Sequence, residues 1–505
     1  MSKNKCRRGN DDDFSYASLT SSIPSPNKDV PKELIIGENG HGAVFGISSD
    51  VYVDIPIGMR QGSEGNIVVI GGPGSGKGVS GAMPTILYWS GPMCITDIKG
   101  ELLKFYLKYY RKGRDRPPLE FNPIDPNGII YDPYNSLKHD DEDNLVHNVQ
   151  EIVSAIIPIK PNERNPFWEN AERAVLGASI IHYFKMGLNF SQTMCKIASM
   201  SIFKLAKEIN ENGCEEAKWI LGHIKSKKSE MYTDVERGLR DKISVFATDK
   251  RILRAFGGEQ EGANCFSWKD IEKYKIFIHI PERFVEGWSV PINLMYTQLI
   301  RYLQSRPEKY SEEGANIVPT LILMDELASF GKLELLVTGM STLRSKNVNF
   351  CIILQSLPQL EMIYGEKASE IILGNCQYKI IMRADDLTTQ KYLSELIGTH
   401  KVREESNSYY HDECYDETGS STQYSMVREN KVFSHELSTM DDIIILSPYG
   451  TCRVEKILPN GRIFDKKDVP VLAATIVAEE EEISIPVINA WAISASDIVE
   501  TDNQE

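Results

Sequence analysis

Apolar positions along this chain come in short blocks. Asn66–Ile70 is one such run, stopped by Gly71-Gly72, and Met93–Thr96 is another, ending at Asp97. Lys275–Ile280, Thr320–Met324, Asn349–Leu354 and Gln377–Met382 repeat the pattern, and Gly450–Ile457 reads as a closing strand. Apolar runs without alternation, bounded by turn residues, predict strands buried on both faces of a parallel sheet. Pro291–Gln304 and Leu333–Arg344 predict helices in the gaps. Strands alternating with helices predict an α/β fold with a doubly wound sheet.

From about Asn144 to Arg254 the texture changes. Strand-like runs vanish, and in Trp168–Phe184 the residues Ala171, Ala174, Val175, Ala178, Ile181 and Phe184 approximate a helical stripe. This predicts an all-helical insert within the α/β domain. The expected division is a disordered polar arm (1–33), a nucleotide-binding domain in two parts (34–143 and 266–470), the inserted all-α domain (144–265) and an acidic tail (471–505). Tyr409–Ser425 is polar and reads as a mobile loop. There are no internal repeats.

Composition narrows the class. A chain of 505 residues suggests roughly three domains and can bury a large core. Hydrophobic residues at 41% and charged residues at 25% exclude a disordered, collagenous or disulfide-scaffold protein. The net charge of −15 excludes a simple basic nucleic-acid binder. The imbalance is local, since residues 401–505 hold 9 basic and 21 acidic side chains. The nine cysteines are scattered with no C-x-x-C, which points to a reducing compartment and no zinc site. The nine histidines form no H-E-x-x-H pair. No run approaches the roughly 18–20 apolar residues that span a bilayer, and Met1–Lys28 lacks a signal-peptide apolar region. A cytoplasmic protein is expected, with any membrane association supplied by a partner.

The sharpest chemical signal is Gly71-Gly72-Pro73-Gly74-Ser75-Gly76-Lys77-Gly78, running into Val79, between a predicted strand and a predicted helix. Glycines permit the tight turn that aims backbone N–H groups inward, and a helix N-terminus adds positive potential toward phosphate. Lys77 would reach the β- and γ-phosphates of ATP. Gly78 stands where Ser or Thr normally touches Mg²⁺, and Ser80 lies two residues on without the right spacing.

A second signal is Leu321-Ile322-Leu323-Met324-Asp325-Glu326, an apolar strand delivering two acids to its C-terminal end, where α/β folds place ligands. Asp325 would hold Mg²⁺ and Glu326 would polarise the attacking water. Gln355, at the tip of another strand, reads either as a γ-phosphate sensor or as a turn residue. Arg344 reads either as an arginine donated across a subunit boundary or as a charge complementing a helix C-terminus. Asp97-Ile98-Lys99-Gly100-Glu101 follows the second strand and reads either as a contact to the nucleotide or a neighbouring subunit or, as physics alone favours, as a plain strand-to-helix turn. Lys225, Lys227 and Lys228, with Arg237 and Arg240, are candidate DNA contacts or a solvated helix face.

Together these residues resemble the conjugative coupling proteins, the TraG/TraD-type ATPases of type IV secretion systems. The match runs in order from about residue 35 to 460. It includes Gly37-Glu38-Asn39-Gly40-His41-Gly42-Ala43, the phosphate loop followed by Pro84-Thr85, and Asp97-Ile98-Lys99-Gly100-Glu101-Leu102. In the last, Ile98 replaces the family's proline. Tyr134-Asn135 and Phe167-Trp168 follow. Leu323–Ala328 and Leu354-Gln355-Ser356-Leu357-Pro358-Gln359-Leu360 are the most specific pieces. The resemblance implies a RecA-like domain with an all-helical insert, ATP and Mg²⁺ as ligands, and a hexameric ring. It also implies DNA bound to a relaxase as substrate, passed to a membrane channel. Arg344 and Gln355 match the family's arginine finger and sensor glutamine, and Gly78 becomes a family variant. The family usually carries N-terminal transmembrane helices and none is seen here, so either a separate membrane protein recruits the chain or it acts elsewhere. An alternative is an ATP-dependent receptor for protein substrates. A non-enzymatic scaffold is disfavoured by intact Lys77, Asp325, Glu326 and Gln355.

Overall fold

The computed structural model describes residues 26–37, 40–49, 54–159, 166–222, 229–258, 264–412, 417–459 and 461–464. In chain order the strands are β1 (Gly42–Ser49), β2 (Asp54–Arg60), β3 (Asn66–Ile70), β4 (Met93–Thr96), β5 (Pro118–Phe121), β6 (Ile130–Tyr131), β7 (Cys265–Phe266) and β8 (Lys275–Ile278). They continue with β9 (Thr320–Met324), β10 (Val348–Leu354), β11 (Cys376–Ile381), β12 (Thr399–Asp412), β13 (Glu417–Asn430), β14 (Ile443–Ser447) and β15 (Gly450–Val454). A nine-stranded sheet has the order β15-β14-β11-β3-β10-β9-β4-β8-β5. From β11 to β5 all pairs are parallel, and β14 and β15 are antiparallel additions.

The alternation of side chains along each strand explains the continuous apolar runs. In β3, Ile67 and Val69 enter one core while Val68 and Ile70 enter the other. In β9, Leu321 and Leu323 face one way and Ile322 and Met324 the other. Both faces are covered, so no position along these strands needs to be polar.

Between β6 and β7 the described chain makes helices only, chief among them Leu145–Ile156, Phe167–Lys185, Phe190–Ser199, Ile202–Asn212 and Ser229–Thr248. Their starts are written locally. Asn189 Oδ1 accepts from Gln192 N at 2.8 Å while Gln192 Oε1 accepts from Asn189 N at 3.0 Å, a reciprocal capping box. The two ends of the helical excursion are tied by the parallel pairing of Ile130 with Cys265. Val149, Ile152, Val175 and Leu176 from these helices share a core with Val68 and Ile322 of the sheet.

Two readings need correction. The described residues of Tyr409–Ser425 are strand and not loop: β12 and β13 pair antiparallel from Thr399 with Asn430 outward to Asp412 with Glu417. Polarity misled because a two-stranded ribbon away from the sheet has no face that must be apolar. Its Thr, Ser, Tyr and Val content suits extended backbone. The helix expected over Leu333–Arg344 is shorter, Leu336–Thr342, and tightens into a 3₁₀ turn over Leu343–Lys346. Among the described residues, no helix is long and apolar enough to cross a membrane.

Candidate functional site

The sheet order builds the site. Chain segments β3 and β4 are close in sequence, yet β10 and β9 lie between them. The carboxyl ends of four adjacent strands therefore carry, side by side, the loop from Gly71, then Gln355, then Asp325-Glu326, then Asp97–Lys99.

The loop after β3 is held from both sides. Gly71 N donates to Leu354 O at 3.1 Å and Gly72 N donates to Arg383 O at 2.6 Å. A Cβ on Gly72 would lie 2.1 Å from Asp385 Oδ2, so any side chain there must displace the Asp385 carboxylate. Gly74 and Gly76 adopt φ of 69° and 97°. Arg383 Nη2 donates to Pro73 O at 2.6 Å. The helical segment that follows is fixed by Thr85, whose Oγ1 accepts from Val44 N at 3.0 Å and donates to Val44 O at 3.1 Å. This gives the Pro84-Thr85 motif a physical role.

Lys77 bends back so that Nζ donates to Gly71 O at 2.5 Å and Gly72 O at 2.8 Å. Burial lowers its pKa, opposed by the nearby Glu326 and Asp325 carboxylates. Ser75 Oγ is buried with no hydrogen-bond partner. Ser80 is excluded as a metal ligand, because its Oγ donates to Ile457 O at 3.2 Å and accepts from Ile457 N at 3.1 Å. A Cβ on Gly78 would meet nothing within 4 Å.

Asp325 and Glu326 are half-buried at the end of β9. Asp325 N donates to Thr96 Oγ1 at 2.7 Å. Burial first, and Glu326 second, push the Asp325 carboxyl up to about 6. Glu326 takes a left-handed backbone, φ 56° and ψ 56°. Its Oε1 accepts from Gln355 Nε2 at 2.7 Å and lies 3.5 Å from Lys99 Nζ. The Glu326 charge raises the Lys99 pKa. A cleft of about 150 Å³ opens beside Glu326, lined by Gln355, Gln359, Met362 and Ile363 among others.

Lys77, Asp325, Glu326 and Gln355 thus converge, and Lys99 joins them. Arg344 does not. It sits before β10, at the amino-terminal rim of the sheet, 58% exposed, with Nε 4.0 Å from Glu64 Oε2. The length of β3 separates the two rims, roughly 15 Å at about 3.3 Å per residue.

With this arrangement in view, the profile described as "Type IV secretory system Conjugative DNA transfer" matches residues 27–459. This chain belongs to that conjugative DNA-transfer family. Protein VirD4 of Agrobacterium fabrum (strain C58) is 23% identical over 366 residues, covering 71% of this chain and 53% of VirD4. The chain spans about half the length of the curated relatives it matches first. Among solved structures, the bacterial conjugative coupling protein TrwBΔN70, unbound, superposes with a TM-score of 0.62 at 17% identity, over 87% of this chain and 93% of that one. TrwB in complex with a non-hydrolysable ATP analogue gives a TM-score of 0.58 at 18% identity, over 79% and 87%. TrwB is also known with ADP and Mg²⁺. The likeness establishes the fold alone: a RecA-like α/β domain with a helical domain.

The residues of this family member fit a nucleotide and a metal. The orphaned Ser75 hydroxyl and a Lys77 ammonium held only by loop carbonyls are groups that a phosphate would answer. Two adjacent, half-buried acids are a site that a divalent cation would relieve. Among the described residues no cluster of three or more His, Cys, Asp or Glu could hold a metal alone. Asp325 would therefore share Mg²⁺ with phosphate oxygens and water. Lys99 also reaches this rim, 3.5 Å from Glu326, although physics alone favoured a plain turn for Asp97–Glu101. Its signal was the resemblance of Asp97–Leu102 to a family motif, but only the sheet order puts β4 beside β9.

Proposed function

We propose that this chain is an ATP-hydrolysing coupling protein that recruits relaxase-bound DNA and drives its transfer through a type IV secretion channel. The observation that carries this reading is the convergence of Lys77, Asp325, Glu326 and Gln355 at one rim of a conjugative DNA-transfer family fold. In this reading, residues 34–143 and 266–470 form the nucleotide-binding domain around the 144–265 insert. The working form is a homo-hexamer, cytoplasmic and recruited to the membrane by a separate membrane protein.

The geometry supports the following roles. Residues Gly71–Val79 cradle the phosphates through backbone N–H groups, and Lys77 turns from its own loop carbonyls to the β- and γ-phosphates. Asp325 would hold Mg²⁺, which would supply charge neutralisation at the phosphates. Glu326 accepts a proton from the attacking water as its oxygen bonds to the γ-phosphorus and the bond to the β-phosphate oxygen breaks. Gln355 links the γ-phosphate position to Glu326 through its 2.7 Å hydrogen bond. Arg344, too far from its own loop, acts on the neighbouring subunit's nucleotide.

The DNA-facing surface is less defined. Lys225, Lys227, Lys228 and the acidic tail lie outside the described residues. Arg237 and Arg240 are both exposed, and Arg240 pairs with Glu236 at 3.0 Å within its own helix. The test is ATP hydrolysis with and without single- and double-stranded DNA at low and moderate salt, with Lys77→Ala as blank. Stimulation by DNA that fades with salt is expected. Hydrolysis indifferent to DNA would favour a receptor for protein substrates instead.

A further inference from the structure

The turn after β4 is built with more constraint than a strand-to-helix connection requires. Asp97, fully buried, uses both carboxylate oxygens as a cap: Oδ1 accepts from Glu101 N at 3.1 Å and Oδ2 from Leu103 N at 2.9 Å. Ile98 is buried in the core shared with the insert. Gly100 is left-handed at φ 66°, and a Cβ there would lie 2.8 Å from the His279 ring. Lys99 is the one side chain of Asp97–Gly100 that leaves the turn, 54% exposed, and it points to Glu326.

We propose that Lys99 is a positioning residue for Glu326, holding its carboxylate jointly with Gln355. The proposal rests on the hydrolase reading above. β9 is flanked by β10 on one side and β4 on the other. Gln355 follows β10 and Lys99 follows β4, so the Glu326 carboxylate is gripped from both neighbours of its own strand. Both donors meet the same oxygen, Oε1, which leaves Oε2 for the attacking water. The backbone needs this grip. A non-glycine residue in the left-handed region is strained and persists only where its surroundings fix it. The tip of β4 supplies two such fixings, since Thr96 Oγ1 also accepts from Asp325 N. A half-exposed ion pair does little for global stability, so the fold gives Lys99 no other evident task.

The test is steady-state ATP hydrolysis by the full chain alongside binding of a fluorescent non-hydrolysable ATP analogue. Lys99→Ala should lower kcat about 10-fold through loss of orientation. Its analogue Kd should change less than about twofold, since the effect is on the chemical step and not on uniform binding. Lys99→Arg should recover most of the rate. Lys99→Ala should add nothing in a Glu326→Gln background. Gly100→Ala should lower kcat in the same sense with Lys99 intact, by pushing the turn off His279. An unchanged or raised kcat in Lys99→Ala overturns the proposal, as does parallel loss of analogue binding, which would make Lys99 a nucleotide contact. A wild-type chain that binds the analogue and never hydrolyses ATP overturns the hydrolase reading itself, and this proposal with it.

Discussion

At the carboxyl rim of the sheet, charged and polar groups meet with their needs partly unanswered. Ser75 Oγ is buried without a partner, Lys77 falls back on its own loop, and Asp325 is pushed up to about 6. At the opposite rim the charges are matched within the chain. Glu64 accepts from Lys309 Nζ at 2.7 Å and from Tyr310 Oη, Arg306 Nε donates to Glu272 at 2.9 Å, and Lys346 pairs with Glu308 at 2.7 Å. The exception is Arg344, exposed and held only at 4.0 Å. One rim holds polar groups without partners, and the other presents an arginine with little to hold. In the proposed ring these two deficits answer each other, the arginine of one copy completing the loop of the next.

The sharpest way to break this comparison is to remove one side of it. Arg344→Ala should lower hydrolysis by the assembled protein about 10³-fold while leaving analogue binding intact, because an arginine of this kind acts on transition-state charge. Lys77→Ala should lose both, as measured by the same pair of assays. A loss of binding in Arg344→Ala would place the arginine at its own nucleotide, against the rim separation.

A second pair sharpens what the carboxyl rim tolerates. Gly72→Ala puts a Cβ 2.1 Å from Asp385 Oδ2 and should weaken analogue binding about 10-fold by displacing the loop. Gly78→Ser enters open space and should leave thermal unfolding unchanged. Its hydroxyl restores an oxygen ligand, so half-saturating Mg²⁺ in hydrolysis should fall about threefold.

These positions also show what a sequence can reveal. β3, β4 and β9 were legible because burial on both faces leaves an unbroken apolar run. Asp325 was legible because it directly ends such a run with a charge that a core cannot use, and Lys77 because it closes the glycine-rich loop that follows β3. Lys99 was not, because its partner Glu326 is over two hundred residues away and the adjacency of β4 to β9 is set by crossovers. Nor were β1 and β2, whose pairing includes Gly46 and Gly58 where backbone or side chain approaches too closely for a Cβ. The β12–β13 pair was hidden because polarity marks solvent, not the absence of pairing.

A smaller effect separates the rims by pH. The folded Asp325 carboxyl, raised from 3.8 to about 6, takes up a proton before the unfolded chain does. This group therefore adds stability to the metal-free protein as pH falls from about 7 toward 5. Mg²⁺ competes with that proton, so the rise in Tm given by Mg²⁺ and nucleotide should shrink over the same window. Thermal unfolding with and without both ligands at several pH values checks this, and a ligand shift independent of pH would contradict it. The smallest effect belongs to the opposite rim. Glu64→Gln should cost less than about 1 kcal/mol in denaturant unfolding, because exposed pairs are screened.

The most direct test of the two-rim account is complementation between inactive copies. Lys77→Ala and Arg344→Ala proteins, each assayed alone and then mixed in equal amounts under assembling conditions, should regain hydrolysis. Random assembly in a ring would give about one quarter of the sites an intact loop from one copy and an intact arginine from the next. Recovery near that fraction is the predicted result. No recovery in mixtures shown to co-assemble, or full activity of Arg344→Ala alone, would contradict the claim that the two rims of different copies form one site.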